Sequence, residues 1–240
     1  LVAIWFGGLF LASLTAAAAV VMAWEWGRLC GGGAGASALV GAVAGAMIAA
    51  SLFGIAAGLL LALAGAAIVW QVAVHRDAGA PLWLAAGRLW VALPCITLLW
   101  LAQSAGAGRE TLFWLFAVVW ATDIGAYATG RQLGGPLLAP RWSPRKTWAG
   151  LLGGVLCAAL AGWAAAGVLG AATVLPVVLV SAGLAVVEQF GDLAESVAKR
   201  RFGVKDASSL IPGHGGLLDR LDGLLAVIPV VALLTLFGGG

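Results

Sequence analysis

The chain has 240 residues, of which 62% are hydrophobic and 10% charged, and its net charge is +3. A soluble domain carries about a quarter charged residues, so this composition excludes an ordinary soluble domain and indicates a membrane protein. The small basic excess is weak evidence for nucleic-acid binding, because the cytoplasmic loops of membrane proteins are themselves rich in Lys and Arg. We therefore expect the lipid bilayer as a partner and no nucleic acid.

Apolar runs separated by short polar or Gly-rich segments predict eight membrane helices. A run of about 20 apolar residues can cross the hydrocarbon core as a helix. The break at Gly54 is the weakest, because 38–74 could also form one long broken helix. The runs lie near 9–26, 38–53, 55–74, 82–102, 111–130, 148–169, 174–198 and 218–237. The predicted fold class is an all-α polytopic membrane protein, and we expect one more helix before Leu1, which already lies inside an apolar run.

Small residues line several of these predicted helices. Faces such as "GAVAGAMIAA" allow close helix approach in lipid and would also suit a homodimer. The cysteines Cys30, Cys95 and Cys157 lie far apart without metal-binding spacing, so we interpret them as small packing residues with no disulfide framework.

The basic residues predict the orientation. With eight helices, the loops 27–37, 75–81, 131–147 and 199–217 share one side and hold most of the Lys and Arg residues, whereas the opposite loops hold only Arg109. The positive-inside rule assigns the first set to the cytoplasm.

Ionisable residues concentrate near the last two helices. Such groups cost about 2.5–3.5 kcal/mol each at the centre of a membrane helix, so they are usually functional. One helix face follows the spacing i, i+4, i+7, i+8 and i+11, and it carries Glu188, Asp192, Glu195, Ser196 and Lys199. The simpler alternative is that these charges reach the membrane surface or pair with one another.

Two further acid-bearing faces are expected at the same membrane surface. Asp219 and Asp222 open the last helix, and a third face carries Asp123, Tyr127 and Arg131. Carboxylates meeting in one pocket would repel each other unless a cation lay between them. Because Asp and Glu oxygens without a Cys or His cluster suit a hard ion, we predict Mg²⁺.

A Gly-rich turn, "PGHGG", precedes the last helix. Successive N–H groups in such a turn, leading into a helix N-terminus, can bind phosphate oxygens. The turn contributes His214, Gly215 and Gly216, and the basic residues around it are Lys199, Arg200, Lys205 and Arg220. Together they predict a polyphosphate site.

A second basic loop, "GRQLGGPLLAPRWSPRKTWAG", has a similar composition. It offers Arg131, Ser143, Arg145 and Lys146 for a phosphate. The alternative is a juxtamembrane basic loop that attracts anionic lipid, and both interpretations hold if the substrate is itself an anionic lipid.

The segment "SVAKRRFGVKDASSLIPGHGGLLDRLD", from Ser196 to Asp222, resembles the signature of the phosphatidate cytidylyltransferases, or CDP-diacylglycerol synthases. The segments "AWEWGRL", "DIGAYATGRQLGG" and "SPRKTWAG" are similar to the same family, so the resemblance covers most of the chain. Three positions depart from the family pattern: Ala198, Arg145 and Ala149. Ala149 stands where the family often has Glu, so no catalytic acid is expected there.

The resemblance implies that CTP and phosphatidic acid react to give CDP-diacylglycerol and pyrophosphate at the cytoplasmic face of a bacterial inner membrane. It implies that Asp192 and Asp219 hold a metal centre, which a second cation can share. Residues 1–240 would then form a single integral-membrane domain, with a helical scaffold over 1–110 and the catalytic helices and cytoplasmic loops over 111–240.

The expected roles of the other candidate residues follow from the two basic segments and the acidic faces. Asp123 and Asp222 are expected to contact the metal through its outer sphere or to orient basic side chains. The residues expected to bind CTP or the lipid phosphate are Lys199, Arg200, Lys205, Asp206, His214, Gly215, Gly216, Arg220, Arg131, Ser143, Arg145 and Lys146.

Two other functions remain open at this stage. One is a CTP-dependent enzyme acting on another membrane lipid, such as a polyprenol kinase or an ether-lipid cytidylyltransferase. The other is an ion or proton transporter, which would place its acids near the bilayer midplane and often show repeated halves. Here the acids lie at predicted helix ends and no repeat is visible, which favours an enzyme.

Overall fold

Helices dominate the computed structural model, which describes residues 1–76, 80–104 and 108–238. The helices are α1 (Val2–Phe6), α2 (Gly8–Leu29), α3 (Gly33–Phe53), α4 (Ile55–His75), α5 (Pro81–Gln103), α6 (Gly108–Leu133), α7 (Trp148–Ala166), α8 (Val174–Arg201) and α9 (Leu218–Gly238). Within the described ranges, the eight helices α2–α9 are long and apolar enough to cross a membrane. The predicted all-α polytopic class is therefore confirmed.

Several helix boundaries differ from the predicted ones by a few residues. The segment 38–74 forms two helices, because Gly54 adopts a φ of +89° that ends α3 and starts α4. An L-residue with a side chain rarely adopts this conformation, so the glycine makes the break. The predicted loop at 75–81 includes residues 77–79, which lie outside the described residues.

The basic run Lys199–Arg201 belongs to the last turn of α8 rather than to a loop. Cations are favourable there, because the C-terminal end of a helix carries a partial negative charge. The predicted loop 199–217 therefore begins only after Arg201.

A short antiparallel hairpin lies within the second basic loop, where no strand was predicted. It pairs β1 (Leu137–Ala139) with β2 (Ser143–Thr147), and the register is irregular between Leu137 and Ala139. Pro140 and Pro144 are unfavourable in regular strands, because proline cannot donate to a ladder. The hairpin accommodates them in its turn and at the edge of a two-stranded sheet.

The chain divides into two compact units. The first unit comprises Leu1 and the ranges 101–198 and 222–240, and the second comprises 2–100 and 199–221. The prediction of a single integral-membrane domain stays a prediction.

Close helix contacts in the first unit depend on glycine. A Cβ at Gly125 of α6 would lie 2.6 Å from the Cys157 Sγ and 2.7 Å from the Gly153 carbonyl oxygen of α7. A Cβ at Gly191 of α8 would lie 2.4–3.2 Å from atoms of α9, a separation that only a glycine allows. The expected close approach through small residues is confirmed at these positions.

The second unit packs α3 against α2 and α4. Arg88 of α5 is 1% exposed, and its guanidinium donates to the backbone carbonyls of Leu61 and Ala62 in α4, with a distance of 2.9 Å from Nε to Ala62 O. This buried cation therefore joins α4 to α5 through backbone carbonyls.

The cysteines behave as the packing residues that the sequence predicted. All three are free, and Cys30 and Cys95 are buried. Burial raises the pKa of the Cys30 thiol to about 12, so this thiol stays protonated and unreactive at neutral pH.

Gly125→Ala should destabilise the protein, because the new methyl group would meet the α7 backbone at Gly153 as well as the Cys157 side chain. Overpacking of this kind costs about 1–3 kcal/mol and should lower the Tm in detergent by several degrees. Gly183→Ala is the matched control, since a Cβ there meets nothing within 4 Å. Equal Tm values for the two variants would contradict the close α6–α7 contact.

Candidate active site

A cavity of about 240 Å³ in the first unit collects residues from both predicted basic and acidic segments. Helix α6 supplies Asp123 and Tyr127, β2 supplies Arg145 and Lys146, and α8 supplies Gln189 and Asp192. Thr147 ends β2 and caps α7, where its side chain accepts a bond of 3.0 Å from the Gly150 N–H, so the hairpin leads directly into this helix. The cavity thus combines carboxylates with two cations.

Lys146 and Asp192 form the central ion pair of this cavity. The Lys146 Nζ lies 2.6 Å from the Asp192 Oδ2, and it also donates to the Gln189 carbonyl oxygen at 3.4 Å. Ser196, one turn further along α8, donates to the Asp192 Oδ1 at 3.4 Å. The Asp192 side chain is 30% exposed, so it is only partly buried at the cavity.

Glu188 lies behind the cavity wall and is 2% exposed. Its Oε2 accepts a bond of 2.8 Å from the Gln189 Nε2. A Cβ at Gly223 of α9 would lie 2.7 Å from the Glu188 Oε1, so this glycine admits the buried acid. Sequence analysis placed Glu188 on the acidic face but assigned it no role in the site.

Lys199 and Asp219 form a second, more buried ion pair in the second unit. The Lys199 Nζ lies 2.6 Å from the Asp219 Oδ1, and the side chains are 10% and 6% exposed. The other oxygen, Oδ2, accepts bonds from the Ala207 N–H at 2.9 Å and the Gly216 N–H at 2.8 Å. Asp219 is therefore held by three donors.

The Gly-rich turn wraps around this carboxylate. Gly215 has a φ of +82°, and a Cβ there would lie 2.9 Å from the Asp219 Oδ2. The turn closes through bonds from the Ile211 N–H to the Gly215 carbonyl and from the His214 N–H to the Ile211 carbonyl, both of 2.9 Å. The backbone of this turn is thus shaped by its own hydrogen bonds and by Asp219.

The sequence of the whole chain shows a family relationship. The chain matches the model of the cytidylyltransferase family over residues 1–237. The chain belongs to the cytidylyltransferase family. The family membership expected from the signature segment is therefore confirmed.

Relatives of this cytidylyltransferase-family chain occur in several bacteria. A phosphatidate cytidylyltransferase of Brucella suis is 40% identical over 238 residues, covering 98% of this chain and 86% of the relative. One of Pseudomonas aeruginosa is 38% identical over 240 residues, covering 95% and 88%. One of Haemophilus influenzae is 41% identical over 127 residues, covering 51% and 44%.

The remaining predicted site residues of this family member lie around the two ion pairs or at the surface. Arg131 donates to the Tyr127 hydroxyl at 2.7 Å, and Ser143 pairs with Ala139 in the hairpin. Arg200 donates to the Val204 carbonyl at 3.2 Å, and Arg220 donates twice to the His214 carbonyl at 3.0 and 2.7 Å. The other three are Lys205 and Asp206, which are exposed, and Asp222, whose Oδ1 accepts the Gly223 N–H at 2.9 Å.

The predicted phosphate cradle at His214–Gly216 stays a prediction. In this structure the N–H groups of His214 and Gly216 donate to the Ile211 carbonyl and the Asp219 carboxylate. Triphosphate binding at those two N–H groups would require them to exchange these acceptors.

The donor set at both ion pairs fits a hard cation. In each unit, a lysine ammonium lies 2.6 Å from one oxygen of a predicted metal ligand, Asp192 or Asp219. In neither unit do three His, Cys, Asp or Glu side chains of the described residues group closely enough to hold an ion between them. Mg²⁺ commonly takes only one or two carboxylates and completes its shell with water and substrate phosphate, so this donor set suits it.

Lys199→Met should destabilise the protein more than Lys146→Met, because the Lys199–Asp219 pair is the more buried of the two. Removing one partner of a buried pair leaves an uncompensated charge and costs about 3–5 kcal/mol. Thermal unfolding in detergent measures the difference, and Lys205→Met, at an exposed lysine, is the control. Equal Tm losses for Lys199→Met and Lys146→Met would show that burial does not decide the strength of these pairs.

Proposed function

We propose that this protein transfers the cytidylyl group of CTP to phosphatidic acid and releases pyrophosphate, giving CDP-diacylglycerol for phospholipid synthesis. The observation that carries the proposal is the cavity in which Arg145 and Lys146 lie beside Asp192, within a membrane protein. The proposal is supported by the family membership and by relatives named phosphatidate cytidylyltransferase that align over almost the whole chain.

The reaction requires one bond to form and one to break at the α-phosphorus of CTP. An oxygen of the phosphatidate phosphate attacks this phosphorus, and the bond to the β-phosphate oxygen breaks as pyrophosphate leaves. The attacking phosphate is already ionised at neutral pH, so no general base and no covalent enzyme intermediate are needed. Catalysis of such a transfer depends on positioning and charge neutralisation.

The cavity of the first unit supplies positioning for a phosphate. The Arg145 guanidinium can hold two phosphate oxygens at once, whereas Lys146 acts as a compact charge. Lys146 would exchange Asp192 for the phosphate, and its hydrogen bond to the Gln189 carbonyl keeps the ammonium near the cavity during this exchange. Ser143 and Arg131 would bind or orient the lipid phosphate. Asp123 would orient the basic side chains of the cavity or contact the metal through its outer sphere.

The second unit supplies charge neutralisation for the triphosphate. Lys199, Arg200, Lys205 and Arg220 are the proposed cations, and Asp206 and the turn His214–Gly216 are the proposed polar contacts. Arg220 is preorganised, because two of its nitrogen atoms are bonded to the His214 carbonyl. Asp222 would orient these basic groups.

We propose Asp192 and Asp219 as ligands of Mg²⁺, with a second cation sharing the site. When bound, the ion polarises phosphate oxygens and neutralises charge on the leaving group. Lys146 and Lys199 would be released from the two carboxylates and become available to phosphate oxygens.

The proposed location is the bacterial inner membrane, with the site facing the cytoplasm. This orientation rests on the basic residues of the segments 27–37, 75–81, 131–147 and 199–217 and on the bacterial origin of the relatives. A homodimer without nucleic acid is the proposed assembly, and it rests on the small-residue helix faces.

Asp192→Asn and Asp219→Asn should each lower the rate of label transfer from CTP to lipid by at least about 100-fold, because each removes a charged ligand from a site that acts by charge neutralisation. The assay uses detergent-purified protein, and Glu110→Gln, in the first turn of α6, is the control. Transfer near the wild-type rate in Asp219→Asn would refute the metal assignment.

CTP labelled in the α-phosphate should label the lipid product with phosphatidic acid, whereas CTP labelled in the γ-phosphate should not. This pattern follows because a cytidylyltransferase keeps the α-phosphorus and releases the other two. Chromatography of the products from phosphatidic acid, an ether lipid and a polyprenol measures the preference. Label from the γ-phosphate on polyprenol would identify a lipid kinase, and ion uptake into proteoliposomes without CTP turnover would identify a transporter.

A further inference from the structure

Glu25 is a fully buried acid in α2, with 0% of its surface exposed. It lies in the second unit together with the segment 199–221. An ionised carboxylate is costly to bury unless strong donors satisfy it. Its partners therefore indicate what it does.

Within the described residues, the three hydrogen bonds to Glu25 come from the signature segment. The Ser208 hydroxyl donates to Oε1 at 2.6 Å, and the Leu217 N–H donates to the same oxygen at 2.9 Å. The Leu218 N–H donates to Oε2 at 2.7 Å. No local sequence pattern links these residues, because 183 positions separate Glu25 from Ser208.

Glu25 caps the N-terminus of α9 from a distant helix. Leu218 is the first residue of α9 and Leu217 immediately precedes it. The first N–H groups of a helix lack partners within the helix, and the positive end of the helix dipole favours an anion. A carboxylate satisfies both requirements at once.

The Gly-rich turn is shaped to admit this acid. A Cβ at Gly216 would lie 2.5 Å from the Glu25 Oε1, so no larger residue fits. The N–H of the same glycine donates to the Asp219 Oδ2. Gly216 and Leu217 thus connect the Glu25 carboxylate directly to the Asp219 carboxylate.

The neighbouring residue in α2 is linked to the start of the signature segment through Trp83 of α5. The Trp26 Nε1 donates to the Trp83 carbonyl oxygen at 2.7 Å. The Trp83 ring lies edge-on to Phe202, with 5.8 Å between the ring centroids. Helix α2 therefore contacts the segment directly before α9 and, through Trp83, indirectly after α8.

We propose that Glu25 is a positioning residue that fixes the Gly-rich turn and the first turn of α9, and through them the carboxylate of Asp219. Glu25 itself touches no substrate in this role. The kinetic part of the proposal rests on the proposed function of Asp219, whereas the anchoring of the turn stands on the contacts alone.

Glu25→Gln is the decisive variant, because it keeps the size of the side chain but replaces one accepting oxygen with an NH₂ group. If the amide oxygen keeps the Ser208 and Leu217 bonds, the new NH₂ faces the Leu218 N–H, and two donors then oppose each other. The charge that complements the helix end is also lost. Glu25→Asp keeps the charge but shortens the reach.

Hydrogen exchange by mass spectrometry in detergent tests the anchor without any assay of catalysis. We expect the amides of 207–218 to exchange at least about tenfold faster in Glu25→Gln, since each lost 1.4 kcal/mol of protection gives a factor of ten. Ser208→Ala should show a smaller effect at the same amides. Ser209→Ala is the matched control, because Ser209 is the exposed neighbour.

Steady-state kinetics then tests positioning. We expect Glu25→Gln to lower kcat about 10–100-fold with an unchanged KM for phosphatidic acid, and Glu25→Asp to recover part of the loss. Each rate is divided by the folded fraction, which the Tm and size-exclusion profile provide. A purely structural residue would lower only the folded fraction.

The outcomes separate the two hypotheses. Unchanged exchange at 207–218 in Glu25→Gln would overturn the anchor, and a rate loss that disappears after correction for folded protein would overturn positioning. If Glu25→Gln does not fold, Ser208→Ala decides, and exchange equal to that of Ser209→Ala would overturn the anchor. If the variants exchange as expected but the wild-type protein transfers no label from CTP, the proposed function is refuted and the anchor stays supported.

Discussion

The need to satisfy ionisable groups inside a lipid-embedded protein governs the site of this cytidylyltransferase-family member. Hydrocarbon offers no water to a carboxylate, so each acid must find its donors within the protein. Asp219 shows the full solution, with one lysine and two backbone N–H groups around it. Asp192 shows a partial solution, because it has a lysine and a weak hydroxyl bond but remains 30% exposed. The Asp192 carboxylate is therefore easier for a new ligand to reach than that of Asp219.

Two glycines of the signature segment leave space for buried carboxylates. Gly215 leaves room for the Asp219 carboxylate and Gly216 leaves room for that of Glu25. A Gly-rich turn before a helix is usually interpreted as a phosphate site, because its N–H groups are free to donate. Here several of those N–H groups hold the protein's own carboxylates, and a substrate would meet a turn that is already ordered. Order before binding lowers the entropy lost when a ligand is positioned.

Hydropathy predicted the fold because membrane helices leave a strong and local signal in the sequence. The helix ends were less predictable, since Lys199–Arg201 looked like loop residues but stabilise the end of α8. The hairpin at 137–147 could not be predicted, because its prolines oppose strand formation and only the antiparallel pairing of its two arms compensates. Local sequence rules cannot represent that compensation.

The sequence also predicted those features of the site that depend on neighbouring residues in one helix. Helical spacing placed Asp192 and Lys199 on one face of α8, but it could not show that each binds a partner from another segment. Glu25 carried a usable signal, because a lone acid inside an apolar helix is usually functional. Its partners lie almost 200 positions away in the sequence, so only the folded chain identifies them.

The two lysine–aspartate pairs also lower the free-energy cost of exchanging ionic partners in the proposed reaction. Before substrate arrives, each carboxylate is neutralised by an ammonium at 2.6 Å. If a cation–phosphate pair enters, the lysine can move to the phosphate while the carboxylate takes the cation. At each site, a lysine–aspartate pair and a cation–phosphate pair become a lysine–phosphate pair and an aspartate–cation pair. No charge is therefore left without a partner before or after the exchange. Since an unpaired buried charge is the expensive state, the exchange avoids the largest barrier that a membrane-embedded site would otherwise impose.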